Sequence, residues 1–355
     1  MLPEISGYVY LFILHATIVP SMMRILLIPT AVAVFVLATA YFWGGASAFF
    51  LVALLAILEV TLSFDNAVVN ARVLGRMDER WQKRFLVWGI PIAVFGTRFI
   101  VPILIVSAAA HLSPLFASRL AFLDAARYGE YLKGAHVAIA SFGSAFLLLV
   151  SLKYFFNDKK TIHWIDAIER HMTRWGGIEA IEVALTLGVF LLCAFLKPTE
   201  SATILASGII GILLFIVIEG VSQSFEMESG SGAVASGAAL FVYLNVLDSA
   251  FSLDGVVGAF AITSALPIII AGLGIGALFV RAFTVALVRA KTLQTLPYLE
   301  HGAHYAILGL AIAMLTTIFV HVPEVVTGLI GLIFIIFAYI SSRREMQLPK
   351  STLLS

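Results

Sequence analysis

Residues 47–72 read SAFFLVALLAILEVTLSFDNAVVNAR. Residues 47–58 carry no charge, and the apolar run continues past Glu59 and Asp65 to Val69. Wound as a helix at about 1.5 Å per residue, such a stretch reaches across the ~30 Å hydrocarbon core of a bilayer. The stretch is therefore read as a membrane-spanning helix, and its two carboxylates then lie inside the membrane. A carboxylate at mid-membrane costs about 2.5–3.5 kcal/mol on insertion scales, so both must face the protein interior, a partner or an ion.

The rest of the chain repeats this pattern. The sequence is 61% hydrophobic and 12% charged, against about 25% charged for a soluble domain. That much apolar surface cannot be hidden in a water-soluble fold, so the expected class is an all-α polytopic membrane protein. Apolar runs predict ten spans, near residues 25–43, 47–72, 85–110, 135–156, 178–196, 202–220, 237–262, 266–289, 304–321 and 325–341. Residues 1–24 lack a basic start and a small-residue cleavage site, and Pro20 interrupts them, so they are expected to be interfacial or re-entrant. Residues 25–342 form the membrane domain and 343–355 a cytoplasmic tail. Residues 222–237, rich in Gly and Ser and carrying Glu226 and Glu228, are expected to be a solvated connector.

With both termini cytoplasmic, sixteen Lys and Arg residues fall inside and only Arg119, Arg127, Lys133 and Lys197 outside. The positive-inside rule thus sets the orientation in a cell (inner) membrane. A net charge of +1 and the lack of a basic cluster exclude a nucleic-acid partner. The single cysteine, Cys193, permits neither an internal disulfide nor a thiolate metal cluster, and is read as helix packing.

The acidic motif occurs twice. Residues 237–262, GAALFVYLNVLDSAFSLDGVVGAFAI, align Asp248, Ser252 and Asp254 with Glu59, Ser63 and Asp65. The following helix of each half holds one intramembrane arginine, Arg98 or Arg281; YLKGAHVAI and YLEHGAHYAI align His136 with His304; Glu182 and Glu324 open the next helix. Five helices separate each motif from its copy, an odd number, so the copies run in opposite directions. Repeat one is expected at about 25–197 and repeat two at about 202–341, the inverted arrangement of secondary transporters, with substrate held at mid-membrane between the halves.

Four acids face two bases, which leaves charge for a cation. Residues six apart on a regular helix differ by about 9 Å in height and 120° in azimuth, so Glu59 and Asp65 are not expected to grip one ion together. Crossing of the two motif helices would instead set Glu59 level with Asp254 and Asp65 level with Asp248. Carboxylate, amide and hydroxyl oxygens from Glu59, Asp65, Asn66, Asp248 and Asp254, supported by Ser63 and Ser252, suit a hard divalent cation such as manganese, magnesium or calcium. Clustered acids also point to protons as an exchange ion. Glu300, His304, His136, Glu182 and Glu324 form a secondary set, readable as a gate or as helix-dipole partners.

The motifs EVTLSFDN, LDSAFSLDG, AFLLLVSLKYFFNDKKTIHWI, GIGALFVRAFT, YLEHGAH and VPEVVTGL resemble a TerC-like integral membrane family described as a domain of unknown function, over about residues 47–342. TerC proteins are grouped with LysE-like exporters, so the resemblance implies efflux of a manganese-like divalent cation, with Glu59, Asp65, Asn66, Asp248 and Asp254 carrying the site and no resident cofactor. Gly255 stands where the first motif has Asn66. The family is named for tellurite resistance, but tellurite is an anion that an acid-lined site would repel. Two other readings compete: a non-transporting scaffold in metal or envelope stress, and an intramembrane aspartyl protease, which would need a GxGD motif that SFDN and SLDG replace. The chain is accordingly expected not to be an enzyme.

Overall fold

The computed structural model describes the backbone of residues 3–227, 233–263 and 265–347, and their side chains except those of 3–24, 62, 86, 90, 109, 221–227, 233–236, 253–254, 261, 324–325, 328 and 347. No strand occurs among the described residues. The elements are α1 (Pro3–Leu62), α2 (Phe64–Leu74), α3 (Glu79–Pro91), a π-helical stretch (Ile92–Ile100), α4 (Val101–Ala109), α5 (Pro114–Leu123), α6 (Ala125–Gly134), α7 (His136–Phe155), α8 (Asp166–Trp175), α9 (Ile181–Leu196), α10 (Ser201–Met227), α11 (Ala233–Ile262), α12 (Leu266–Arg289), α13 (Thr292–Thr295), α14 (Leu299–Thr317) and α15 (Glu324–Gln347). The molecule is an all-helical, multi-pass membrane protein. Phe42 is 87% and Phe195 82% exposed, which water would not tolerate along a whole flank but lipid does.

Five stretches are long and apolar enough to cross a bilayer, namely Ile25–Thr61, His136–Phe155, Pro198–Gly220, Gly237–Phe260 and Leu266–Arg289, and the pair Glu79–Gly89 and Ile92–Ala108, bent by 53°, makes a sixth. At 37 residues, Ile25–Thr61 is nearly twice the ~20 residues a span needs. It breaks at Gly45, whose φ of 68° and ψ of −162° suit only glycine. The break divides α1 between the first two expected runs. The runs near 178–196, 304–321 and 325–341 fall on α9, α14 and α15, and α9 is only 16 residues long.

Three details depart from the sequence reading. The connector between the runs near 85–110 and 135–156 holds two short helices, α5 and α6, because Ser113 and Asp124 cap them by accepting hydrogen bonds from the backbone N–H of Phe116 and Arg127. The connector expected at 222–237 is largely helical, α10 running to Met227 and α11 starting at Ala233; Glu226 and Glu228 lie outside the described side chains. The first helix begins at Pro3 and runs through Pro20 without a stop.

Packing partners recur between the halves. The second part of α1 packs on α12, while α11 packs on the π-helical stretch; α2 packs on α14, while α11 packs on α7; α9 packs on α7, while α15 packs on α14. In lipid no hydrophobic force drives helices together, so close backbone approach through small residues does the work. Gly272 and Gly276 of α12 let α1 come so near that a methyl group at either would overlap Leu55 or the stem of Glu59. Gly89 makes the same room for the guanidinium of Arg281.

Candidate cation site

The motif helices meet at two places. A methyl group on Gly255 of α11 would lie 2.9 Å from Glu59 Oε2, and Asn66 Nδ2 of α2 donates to Asp248 Oδ1 at 2.8 Å. Moving forward from Glu59 to Asn66 on the first motif moves back by the same number of residues, from Gly255 to Asp248, on the second. The two segments therefore run antiparallel, in a fixed register. That register differs by one residue from the expected one: Glu59 faces Gly255 and Asp248 faces Asn66, so in the described contacts a neutral residue opposes each acid.

The two first acids are each neutralised within their own half. Arg98 donates to Glu59 Oε1, both side chains being buried, and Ser63 Oγ donates to the same oxygen at 3.0 Å. A second nitrogen of Arg98 donates to the carbonyl of Ala93 at 2.8 Å, within the π-helical stretch. Arg281 Nη2 stands 3.7 Å from Asp248 Oδ2, donates from Nη1 to the carbonyl of Phe85 at 3.2 Å and lies over the Phe85 ring. Ser252 donates to the carbonyl of Asp248, not to its carboxylate.

Asp65 is different. It is 3% exposed, and among the described residues no Arg, Lys or His pairs with it. Its Oδ1 accepts from the backbone N–H of Asn66 at 2.9 Å, and its Oδ2 looks toward Gly331 of α15. A small cavity of about 10 Å³, lined by Glu59, Ser63, Asp65, Phe251, Gly255, Leu310 and Thr327, adjoins it. That is space for about one water or one bare ion. The helix is interrupted at Ser63, with φ −107° and ψ 15°, and Glu59 and Asp65, not expected to grip one ion together, both line this cavity. Asp254 lies outside the described side chains; its neighbour Gly255 forms part of the wall.

The secondary set splits by location. Glu300 pairs with Arg72, His304 stacks on Tyr154 at 3.7 Å and 8°, and Glu182 stands 3.4 Å from Lys153. Glu182, Arg72, Lys153, Tyr154 and His304 line a wide cavity of about 760 Å³ that reaches Val69, one turn from Asp65. His136 begins α7 at the far end from Tyr154, in the field of Lys197 and His321, and takes no part in this cavity. Glu324 lies outside the described side chains.

Sequence reasoning missed a buried ion cluster beside this cavity. Glu169 of α8 is fully buried and accepts from Lys160 Nζ at 2.7 Å, from the backbone N–H groups of Trp164 and Ile165, and pairs with His301 Nδ1 at 2.9 Å. Burial alone would raise the Glu169 pKa, but the hydrogen bonds from His301 and Lys160 outweigh it and hold the carboxyl at about 2. The only local signal is the charged segment NDKKTIHWIDAIE, and nothing in it marks Glu169 as buried.

Among the described residues no three carboxylate, imidazole or thiolate groups converge on one point. A cation at Asp65 would draw on mixed oxygens, one uncompensated carboxylate, Glu59 and the hydroxyls of Ser63 and Thr327, a set that suits hard cations. The family model described as Protein of unknown function (DUF475) matches residues 64–348, and no curated protein and no solved structure matches the chain.

Proposed function

We propose a transport function for this chain, which belongs to the DUF475 family of proteins of unknown function. It moves a hard divalent cation, manganese-like, across the membrane by alternating access between two inverted repeats, about 25–197 and 202–341. One observation carries the reading: Asp65, buried at a break in a membrane helix, has no cationic partner among the described residues and adjoins a cavity of ion size. An uncompensated carboxylate in a membrane is costly, and a transported cation is what offsets it. The wide cavity that ends one turn away supplies an aqueous approach. Breaks in spanning helices at mid-membrane are where transporters coordinate ions. The resemblance of both acidic motifs to TerC-like proteins, and through them to LysE-like exporters, supports a cation as substrate and efflux as direction.

The scaffold reading leaves the charge on Asp65 without a purpose. The aspartyl protease reading needs two aspartates sharing a proton, whereas Asp248 is engaged by Asn66 and Arg281. The test is manganese flux into liposomes holding the purified protein. Wild type should carry Mn²⁺, and Asp65→Asn, which keeps shape and removes charge, should fold with unchanged thermal stability while flux falls by at least about tenfold, the equivalent of ~1.4 kcal/mol of lost binding. Wild-type flux in a folded Asp65→Asn protein would sink the proposal.

A further inference from the structure

Beside the Asp65 cavity, and separate from it, runs a stripe of buried amide oxygens that accept nothing. Asn66, Asn70 and Asn245 are 1%, 2% and 9% exposed, and among the described residues the Oδ1 atom of each has no hydrogen-bond partner. So does Asp248 Oδ2, although Arg281 stands near it. Two of the amides have their orientation set by their other end: Asn66 Nδ2 is given to Asp248 Oδ1, and Asn245 Nδ2 to the carbonyl of Phe241 at 2.7 Å. A buried acceptor without a partner destabilises the fold, and four occur among the described residues of two facing helix segments.

The antiparallel register gathers them. Asn66 touches Asp248. Asn70, one turn further along α2, and Asn245, about one turn back along α11, come level with each other within one residue. The group lies toward the wide cavity, whose lining includes Val69 and Val73 on one helix and Leu240 and Tyr243 on the other. Along α11, Asn245 and Asp248 fall between Tyr243, which lines that cavity, and Phe251, which lines the Asp65 cavity.

We propose that these oxygens form a second cation site, selective for a sodium-sized monovalent ion. Three of the four donors are neutral amides, and the charge of Asp248 is balanced by Arg281 at 3.7 Å. A divalent ion there would add two uncompensated charges beside a guanidinium, and the desolvation cost of an ion grows as the square of its charge. A monovalent ion adds one, and carbonyl-type oxygens replace its hydration shell, as they do in channel filters and transporter breaks. The site goes beyond the divalent-cation reading and does not depend on it.

The experiment is equilibrium binding of ²²Na⁺ to the purified full-length protein in choline chloride, followed in parallel by thermal stability as NaCl replaces choline. Saturable binding and a rise in melting temperature with sodium are expected. Asn70→Ala and Asn245→Ala should each weaken binding by at least about tenfold. Asn70→Asp guards against misfolding of the alanine variants: it keeps the oxygens, adds a charge, and should bind sodium more tightly than wild type. Absence of saturable sodium binding in folded wild type, or binding indifferent to all three asparagine variants, overturns the site, and the oxygens then hold only water. Mn²⁺ flux without sodium binding would discard this site and keep the transport reading; sodium binding without Mn²⁺ flux would do the reverse.

Discussion

Among the described residues of the two acidic motifs, the charges form two pairs and one acid, Asp65, that has no cationic partner. Glu59 with Arg98, and Asp248 with Arg281, each join the motif helix of one half to the helix that follows it. The sequence made all of these residues visible, because ionisable groups inside apolar runs stand out on cost alone. It could not show which acid lacks a cationic partner: that depends on a one-residue register and on the interruption at Ser63, neither of which apolar spacing encodes. The pairs have a testable consequence. Removing one member of a buried ion pair strands the other at a cost of about 3–5 kcal/mol, whereas removing both is far milder. Arg98→Gln should therefore lower the melting temperature of the protein in detergent strongly, and Glu59→Gln with Arg98→Gln should recover much of the loss. A double variant as unstable as the sum of the two single ones would mean that Glu59 and Arg98 are not energetically coupled.

Among the elements, α8 shows how far a local reading falls short. Asp166–Trp175 begins in a segment dense with charge, and such segments usually face water. Glu169 is nevertheless buried, because its partner His301 arrives from 132 residues away and Lys160 folds back over it. Long-range partners leave no local signal, so the histidine cluster around YLEHGAH was legible and its acid was not. The pKa of Glu169 gives the element a pH signature. The carboxyl is held at about 2, below its ordinary 4.5, so the unfolded chain takes up a proton more readily than the folded one. The stability this contributes is fully present above about 4.5 and disappears as pH falls toward 2. Melting curves of wild type and Glu169→Gln should lie apart at pH 7 and converge progressively below about pH 4.5. A gap that stays constant down to pH 3 would show that Glu169 is not held ionised by these contacts.

Across the whole molecule, what the sequence told best was the sequence of crossings. Every expected run falls on helical structure, but 47–72 is interrupted at Ser63, 85–110 is bent through a π-helical stretch, and among the described residues only five or six helices are long and apolar enough to cross a bilayer. The duplicated motif anticipated the antiparallel meeting of α1–α2 with α11. Orientation is a separate question, and α7 allows the two to be tested together. His136–Phe155 is a single apolar helix of 20 residues, about 30 Å long, so the elements before and after it must lie on opposite sides of the membrane. Arg127 of α6 and Arg170 of α8 are both exposed and flank it, whereas Lys160 is a poor reporter because its side chain is only 8% exposed against Glu169. The charge bias, sixteen basic residues to four, predicts that the α8 side faces the cytoplasm. In a Cys193→Ala background, an impermeant maleimide added to intact cells should label Arg127→Cys and leave Arg170→Cys untouched until the cells are opened. Labelling of both from outside would mean that α7 does not cross the membrane. Labelling of Arg170→Cys alone would keep the crossing but reverse the orientation, turning the wide cavity and the Asp65 approach toward the exterior.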